Sequence, residues 1–328
     1  MAAIEPSKGT PMASIAILDD YQNVAFKMAD WSKLQAGNRV QVFNKPFANV
    51  EAAAQALQGF EVLGIMRERT PFTRALFDKL PGLKLLVTTG KRNASIDLAA
   101  AKDRGVLVCN TGGAGRATAE LAIGLMIALA RHLDVEFQNM RSGGWQTTVG
   151  FDLDGKTLGL LGLGNLGAKV ARIGKAIGMK TIAWSENLTA ERAQEQGAER
   201  VDKDQLFRQS DVISINTVLS PRTRGLVGAR ELGLMKPTAL LVNTSRGPIV
   251  DEAALLAALR EKRIGGYGAD VYDAEPLPAS HPLRAESRAL LTPHIGYVTE
   301  ETYRDFYAGM VAAIEAWLAG KPINVIPA

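Results

Sequence analysis

A single cysteine, Cys109, and three histidines, His132, His281 and His294, are the whole supply of soft metal-ligating side chains in these 328 residues. One thiol cannot close an internal disulfide, and three scattered imidazoles leave little for a metal site. A metal-free interior in a reducing compartment is the expectation, and with it a cytoplasmic location. Long apolar runs are also missing. The greasiest, Leu121 to Ala130, lies between Glu120 and Arg131 and is about half of the roughly 20 residues that span a bilayer. The opening MAAIEPSKGTPM has no apolar core and reads as a frayed lead-in rather than a secretion signal. No sign of charge dominates: 38 basic against 34 acidic side chains give +4 and a pI of about 9.1. That balance favours small anionic ligands and argues against nucleic acid as a partner. No internal repeat is visible, and no low-complexity tract follows the first dozen residues.

What is present is apolar material, 47% of the chain against 22% charged residues, enough to fill one large or two medium cores. Short β-branched or Leu-rich runs recur: IAIL near Ile15, VQVF near Val40, VLGIM near Val62, LKLLVTT from Leu83 and VLVCN from Val106. Helical patterns separate them, which predicts an α/β fold with a parallel sheet and crossover helices. Ala117 to His132 lacks proline, is apolar on most faces and predicts a long buried helix. The Gly-rich RSGGWQTTVGFDLDG then leads into a second series: TLGLLGLGNLG from Thr157, KTIAWS from Lys180, DVISIN from Asp211, ALLVNTS from Ala239, GYGADV from Gly266 and ALLTP from Ala289. These predict an open doubly wound sheet. Thr299 to Ala319 predicts one more amphipathic helix.

The glycines of GLGNLG carry the first chemical signal. Gly162, Gly164 and Gly167 follow a strand-like run and open a helical pattern, with Asn165 and Leu166 between them. In a dinucleotide-binding turn the first glycine permits the tight turn, the second lets the backbone approach a pyrophosphate, and the third brings helix and strand together. Such a site wants a carboxylate at the end of the next strand for the adenosine ribose. TIAWSEN puts Ser185 there and Glu186 one step later. NAD is the expected cofactor, but the choice between NAD and NADP stays open. Loss of the carboxylate removes repulsion against a 2′-phosphate, yet this segment offers no arginine before Arg192.

Three polar residues end strand-like runs in the second series: Arg246 in LLVNTSRG, Glu275 in YDAEP and His294 in LLTPHIG. In a parallel sheet the carboxyl ends of strands converge on the ligand crevice. Hydride delivery to a ketone builds negative charge on its oxygen, which calls for a proton donor and a cation. His294 suits the first role and Arg246 the second, while Glu275 can orient the imidazole. The guanidinium fork also suits a carboxylate, so a 2-keto acid is the natural substrate.

GLGNLG, DVISINTVLSPRTRGLVG, LLVNTSRGPIVDEAALLAAL, GADVYDAEPLP and LLTPHIG together resemble the signatures of the D-isomer-specific 2-hydroxy acid dehydrogenases, from about Leu83 to Thr302. The resemblance implies the roles just given for Arg246, Glu275 and His294. It implies that Asp270 contacts the nicotinamide carboxamide and that Thr217, Ser220 and Thr244 lie along the cofactor. It also implies a flavodoxin-like substrate domain, residues 1–112 and 296–328, into which a Rossmann-type cofactor domain, residues 113–295, is inserted. The helix at about 117–132 would bridge the two and contribute to a homodimer. Reduction of glyoxylate, hydroxypyruvate or a similar small acid is the implied activity. A non-catalytic, corepressor-like NAD(H) sensor is the alternative, for which an extra peptide-binding segment would be expected.

Relatives carry Gly-x-Gly in a loop whose amides hold the substrate carboxylate. This chain has TGKRNASID, so Gly90 matches and Arg92 replaces the second glycine, flanked by Lys91 and Asn93. Either Lys91 or Arg92 engages a further anionic or polar group of the substrate, or Arg92 points to solvent. Val218, Asn216 and Thr118 also depart from the usual proline, histidine and valine. His281 reads as a loop residue, and His132 as the end of the bridging helix.

Overall fold

The computed structural model describes residues 13–113 and 117–327, so the N-terminal lead-in lies outside the described residues. The chain divides into two compact units, Met1–Ala114 with Val298–Ala328, and Gly115–Tyr297.

The first unit is a five-stranded parallel sheet of β1 (Ser14–Ile17), β2 (Arg39–Val42), β3 (Val62–Ile65), β4 (Leu85–Thr88) and β5 (Leu107–Asn110), in the order β2-β1-β3-β4-β5. That is the flavodoxin-like order. β3 and β4 are buried at every position, and apolar but for Thr88, as strands of a parallel sheet covered by helices are. β2, at the edge, carries Arg39 and Gln41 instead. The C-terminal helix Glu300–Leu318, capped by Thr299, returns to this unit and packs against β4 and β5.

A buried polar network ties that helix to the ends of β1 and β3. Arg69 donates to the Asp19 carbonyl at 2.6 Å and to the Tyr303 hydroxyl at 3.1 Å, and Thr70 donates to the Asp19 carboxylate at 3.0 Å. Burial pushes the Asp19 carboxyl up to about 6, against the opposing effects of Thr70 and Arg69. The folded chain therefore keeps this proton after the unfolded chain has lost it. The resulting stability is fully present below the ordinary pKa of 3.8 and is lost as pH rises through about 6. In urea titrations, the stability of Asp19→Asn relative to the parent should rise between pH 4 and pH 7 by on the order of 2–3 kcal/mol. A pH-independent difference would contradict the assignment.

The second unit holds β6 (Thr157–Leu161), β7 (Lys180–Trp184), β8 (Glu199–Arg200), β9 (Val212–Ile215), β10 (Leu240–Asn243), β11 (Gly266–Ala269) and β12 (Ala289–Leu291). All are parallel, in the order β12-β11-β10-β9-β6-β7-β8. From β6 the chain runs outward through β7 and β8, then returns to pair β9 on the other side. The strand order thus reverses between β6 and β9, and a crevice opens at their carboxyl ends.

Helix Ala117–Ala130 lies flat on this sheet. A Cβ on Gly268 of β11 would stand 3.0 Å from Leu129 and 3.4 Å from Leu125, so glycine in the strand sets how closely the helix approaches. The helix is buried on most of its faces, as expected, with Glu120, Gly124 and Ile127 lining an exposed strip. It ends at Ala130, before the expected His132. His132 adopts a left-handed conformation (φ 50°), and its carbonyl accepts from Glu136 at the start of a second helix, Leu133–Arg141. A charged imidazole there would oppose the dipole of the second helix rather than simply complement that of the first.

Candidate active site

The glycine turn does what its spacing predicts. Gly162 has φ +99°, and a Cβ there would stand 2.8 Å from the Thr217 nitrogen; a Cβ on Gly167 would stand 2.2 Å from the Gly162 carbonyl. The first position needs the left-handed backbone, and the third needs the close approach of helix Asn165–Ala176 to the turn. Gly164 caps that helix and faces open space. This leaves backbone N–H groups at a helix N-terminus with room for an anion. Nearby, the Thr244 hydroxyl is buried with no hydrogen-bond partner among the described residues. The Ser245 hydroxyl donates to the Thr217 carbonyl, joining the loops after β9 and β10. An open cradle with an orphaned hydroxyl at the strand-order reversal fits a dinucleotide.

The neighbouring cleft, about 340 Å³, is lined from both sides. Ser185 and Glu186 come from the loop after β7, while Thr217 and Ser220 come from the loop after β9. That second loop also contributes Arg222, which reading along the chain from β7 could not find. Arg192, the arginine that the sequence did offer, pairs with Glu195 on its own helix at 2.9 Å.

Arg246, Glu275 and His294 stand on the loops after β10, β11 and β12, three neighbouring parallel strands. Strands lie about 4.8 Å apart, so the loops bearing Arg246 and His294 leave the sheet roughly 10 Å from each other. Glu275 accepts from His294 Nδ1 at 2.5 Å and from the Tyr272 amide at 2.9 Å, so one carboxylate holds both the ring and the loop. The ring of His294 also stands edge-on to Tyr297, with centroids 5.5 Å apart. A Cβ on Gly247 would come within 2.1 Å of the Tyr272 backbone, so the Arg246 loop presses directly on the Glu275 loop. Arg246 itself is half-buried and donates to the Ser245 carbonyl at 2.6 Å.

Asp270, at the end of β11, is occupied in a way its motif did not announce. Its carboxylate accepts from Thr292 Oγ1 at 2.6 Å, the Ile295 amide at 2.8 Å and the Gly296 amide at 2.7 Å. It therefore anchors the loop on both sides of His294. Burial raises its carboxyl above the usual range, opposed by these hydrogen bonds. Thr118 donates to the Gly296 carbonyl at 3.0 Å and steadies the same loop. His281 pairs with Glu252 at 3.0 Å and caps a 3-10 turn, Pro282–Ala285.

In the first unit, Gly90 has φ +79° and lies under the Arg67 guanidinium, which a Cβ would meet at 1.8 Å. Arg67 donates to the Thr89 carbonyl at 3.3 Å and the Arg92 carbonyl at 3.4 Å. Asn93 is a tether: its amide nitrogen donates to the Arg67 carbonyl and Thr88, and its oxygen accepts from Ser95. Lys91 and Arg92 are exposed. Arg67 is the addition that sequence reasoning missed, because it follows β3 rather than β4.

Residues 123–296 match the family model described as D-isomer specific 2-hydroxyacid dehydrogenase, NAD binding domain. A glyoxylate reductase of Aeropyrum pernix is 41% identical over 262 residues, covering 76% of this chain and 78% of that protein. A D-3-phosphoglycerate dehydrogenase of Synechocystis is 37% identical over 261 residues, 79% of this chain; the chain spans about half of that longer relative, 47%. Among solved structures, a phosphoglycerate oxidoreductase of Vibrio cholerae superposes with a TM-score of 0.88 at 35% identity, covering 94% of this chain and 100% of that one. The chain belongs to the D-isomer specific 2-hydroxyacid dehydrogenase family.

Proposed function

We propose that this chain interconverts a small 2-keto acid and the corresponding D-2-hydroxy acid, using a nicotinamide dinucleotide seated on the glycine turn. The observation that carries the reading is the 2.5 Å bond between His294 and Glu275, on loops beside the one that presents Arg246. When bound, the nicotinamide supplies the hydride that adds to the keto carbon. Glu275 accepts the hydrogen bond from His294 Nδ1–H, which keeps that proton on the ring and leaves Nε2 to carry the proton given to the developing alkoxide. Arg246 offsets the charge on that oxygen and can pair with the substrate carboxylate. Ketone becomes alcohol, the ring is left neutral, and solvent restores its proton. In the reverse direction neutral His294 is the base.

Relatives named glyoxylate reductase, glycerate dehydrogenase and hydroxypyruvate reductase support glyoxylate and hydroxypyruvate as first substrates to try. The loop Gly90–Asn93 is assigned to the substrate carboxylate, with Lys91 and Arg92 available to a further polar or anionic group. The two units then serve as substrate domain and cofactor domain. A homodimer is inferred from exposed apolar side chains of the second unit, among them Phe137, Trp145 and Val149. Among the described residues no helix is long and apolar enough to cross a membrane, and the lone thiol, Cys109, is buried; a cytoplasmic setting agrees with both.

The test is consumption of NADH and NADPH against a panel of 2-keto acids. Turnover that depends on the keto acid is expected, and none with any member would favour the sensor alternative. Within the panel, Arg92→Gly should reorder the acids bearing a second polar or anionic group, by about tenfold or more in kcat/KM, while changing glyoxylate less. An unchanged ranking would leave Arg92 as a solvent-facing side chain.

A further inference from the structure

The geometry of the cleft beside the glycine turn points to a specificity residue from an unexpected direction. We propose that Arg222 reads a phosphate at the 2′ position of the adenosine ribose, so that this chain accepts the phosphorylated dinucleotide as well as the plain one. The inference rests on the dinucleotide reading above and extends it to the form of the cofactor.

The cleft has apolar surface for a flat base, from Trp184, Val218 and Leu226. Its polar wall after β7 begins with Ser185, where a carboxylate would both accept from the ribose hydroxyls and repel a phosphate. A hydroxyl repels nothing and can donate to a phosphate oxygen. Arg222, on the opposite wall, is the one cation among the described residues lining the cleft. Its guanidinium is exposed and makes no ion pair or hydrogen bond among the described residues. The loop beneath it is pinned, because the Thr223 hydroxyl accepts from the Ser220 amide at 2.7 Å and donates to the Val218 carbonyl at 2.7 Å. A planar guanidinium on a fixed turn, facing a wall without its usual carboxylate, suits a dianionic phosphate. Glu186, exposed and lining the same cleft, works against that phosphate and favours the free ribose hydroxyls. Specificity is the difference between these two effects. Both forms should therefore bind within about tenfold of each other.

Equilibrium titration with NADH and with NADPH, without substrate, tests this by binding rather than turnover. Arg222→Ala and Arg222→Glu should shift the ratio of dissociation constants toward NADH by at least about tenfold, the second more than the first. Arg222→Lys should restore part of the preference, and Glu186→Gln should shift the ratio toward NADPH. NADPH binding should weaken with salt more steeply than NADH binding. Ratios unchanged within about threefold in both the alanine and glutamate variants, or a parent chain that binds NADH and not NADPH, would overturn the proposal while leaving the dinucleotide reading intact. A parent chain that binds neither overturns both.

Discussion

Replacing His294 by asparagine lowers kcat for 2-keto acid reduction by about 10²–10⁴, the range spanned by loss of a positioned general acid. Asparagine is the informative choice because His294 sits at φ 52°, a left-handed conformation that asparagine tolerates and most side chains do not. Alanine would mix chemistry with backbone strain. The flanking loop should survive the change, since its hydrogen bonds run to Asp270 from Thr292, Ile295 and Gly296 and not from the imidazole. Titration with the reduced dinucleotide should show the cofactor still binding, and the melting temperature should stay near that of the parent. Glu275→Gln keeps a hydrogen-bond acceptor for Nδ1 but removes the negative charge beside the ring. It should lower kcat less than His294→Asn does. Full turnover by His294→Asn at neutral pH would remove the proton-donor assignment.

Arg246→Ala is expected to cost about 10²–10³ in kcat/KM, the scale measured when one donor to a developing oxyanion is removed. Arg246→Lys should recover only part of the loss, because an ammonium keeps the charge but cannot present two parallel N–H groups to a carboxylate or reach the same atoms. The backbone at Arg246 is extended, and the loop is held by the contact of Gly247 with the Tyr272 backbone and by the 3-10 turn Gly247–Ile249. Neither depends on the guanidinium, so both variants should fold. Steady-state kinetics on glyoxylate at saturating cofactor separates the outcomes. A rise in KM with kcat preserved would make Arg246 a ground-state carboxylate ligand; a fall in kcat would place its action on the transition-state oxygen.

Much of this site was legible before any coordinates, and the particular residues show why. Gly162, Gly164 and Gly167 answer to local demands, a left-handed turn, an open helix end and a close helix contact, so their spacing alone carries the information. Arg246, Glu275 and His294 each follow an apolar run, and in a parallel sheet that suffices to send them to one edge. The α/β class was legible for the same reason, since buried parallel strands must be short and continuously apolar. β8 was not, being two exposed residues long. Neither was the helix break at His132, where no glycine or proline marks the turn and a left-handed backbone separates the two helices.

The sequence by itself determined the alternation of strands and helices, the glycine turn after β6 and the arrival of Arg246, Glu275 and His294 at the ends of neighbouring strands. Those depend on backbone geometry and on which side chain can do which chemistry, and both are properties of short segments. Only the tertiary structure decided that Arg222 faces Ser185 across one cleft, that Arg67 lies over Gly90, and that Asp270 spends its oxygens on the loop that carries His294. Each of those pairings joins loops far apart along the chain, and the order in which strands lie side by side selects which loops meet.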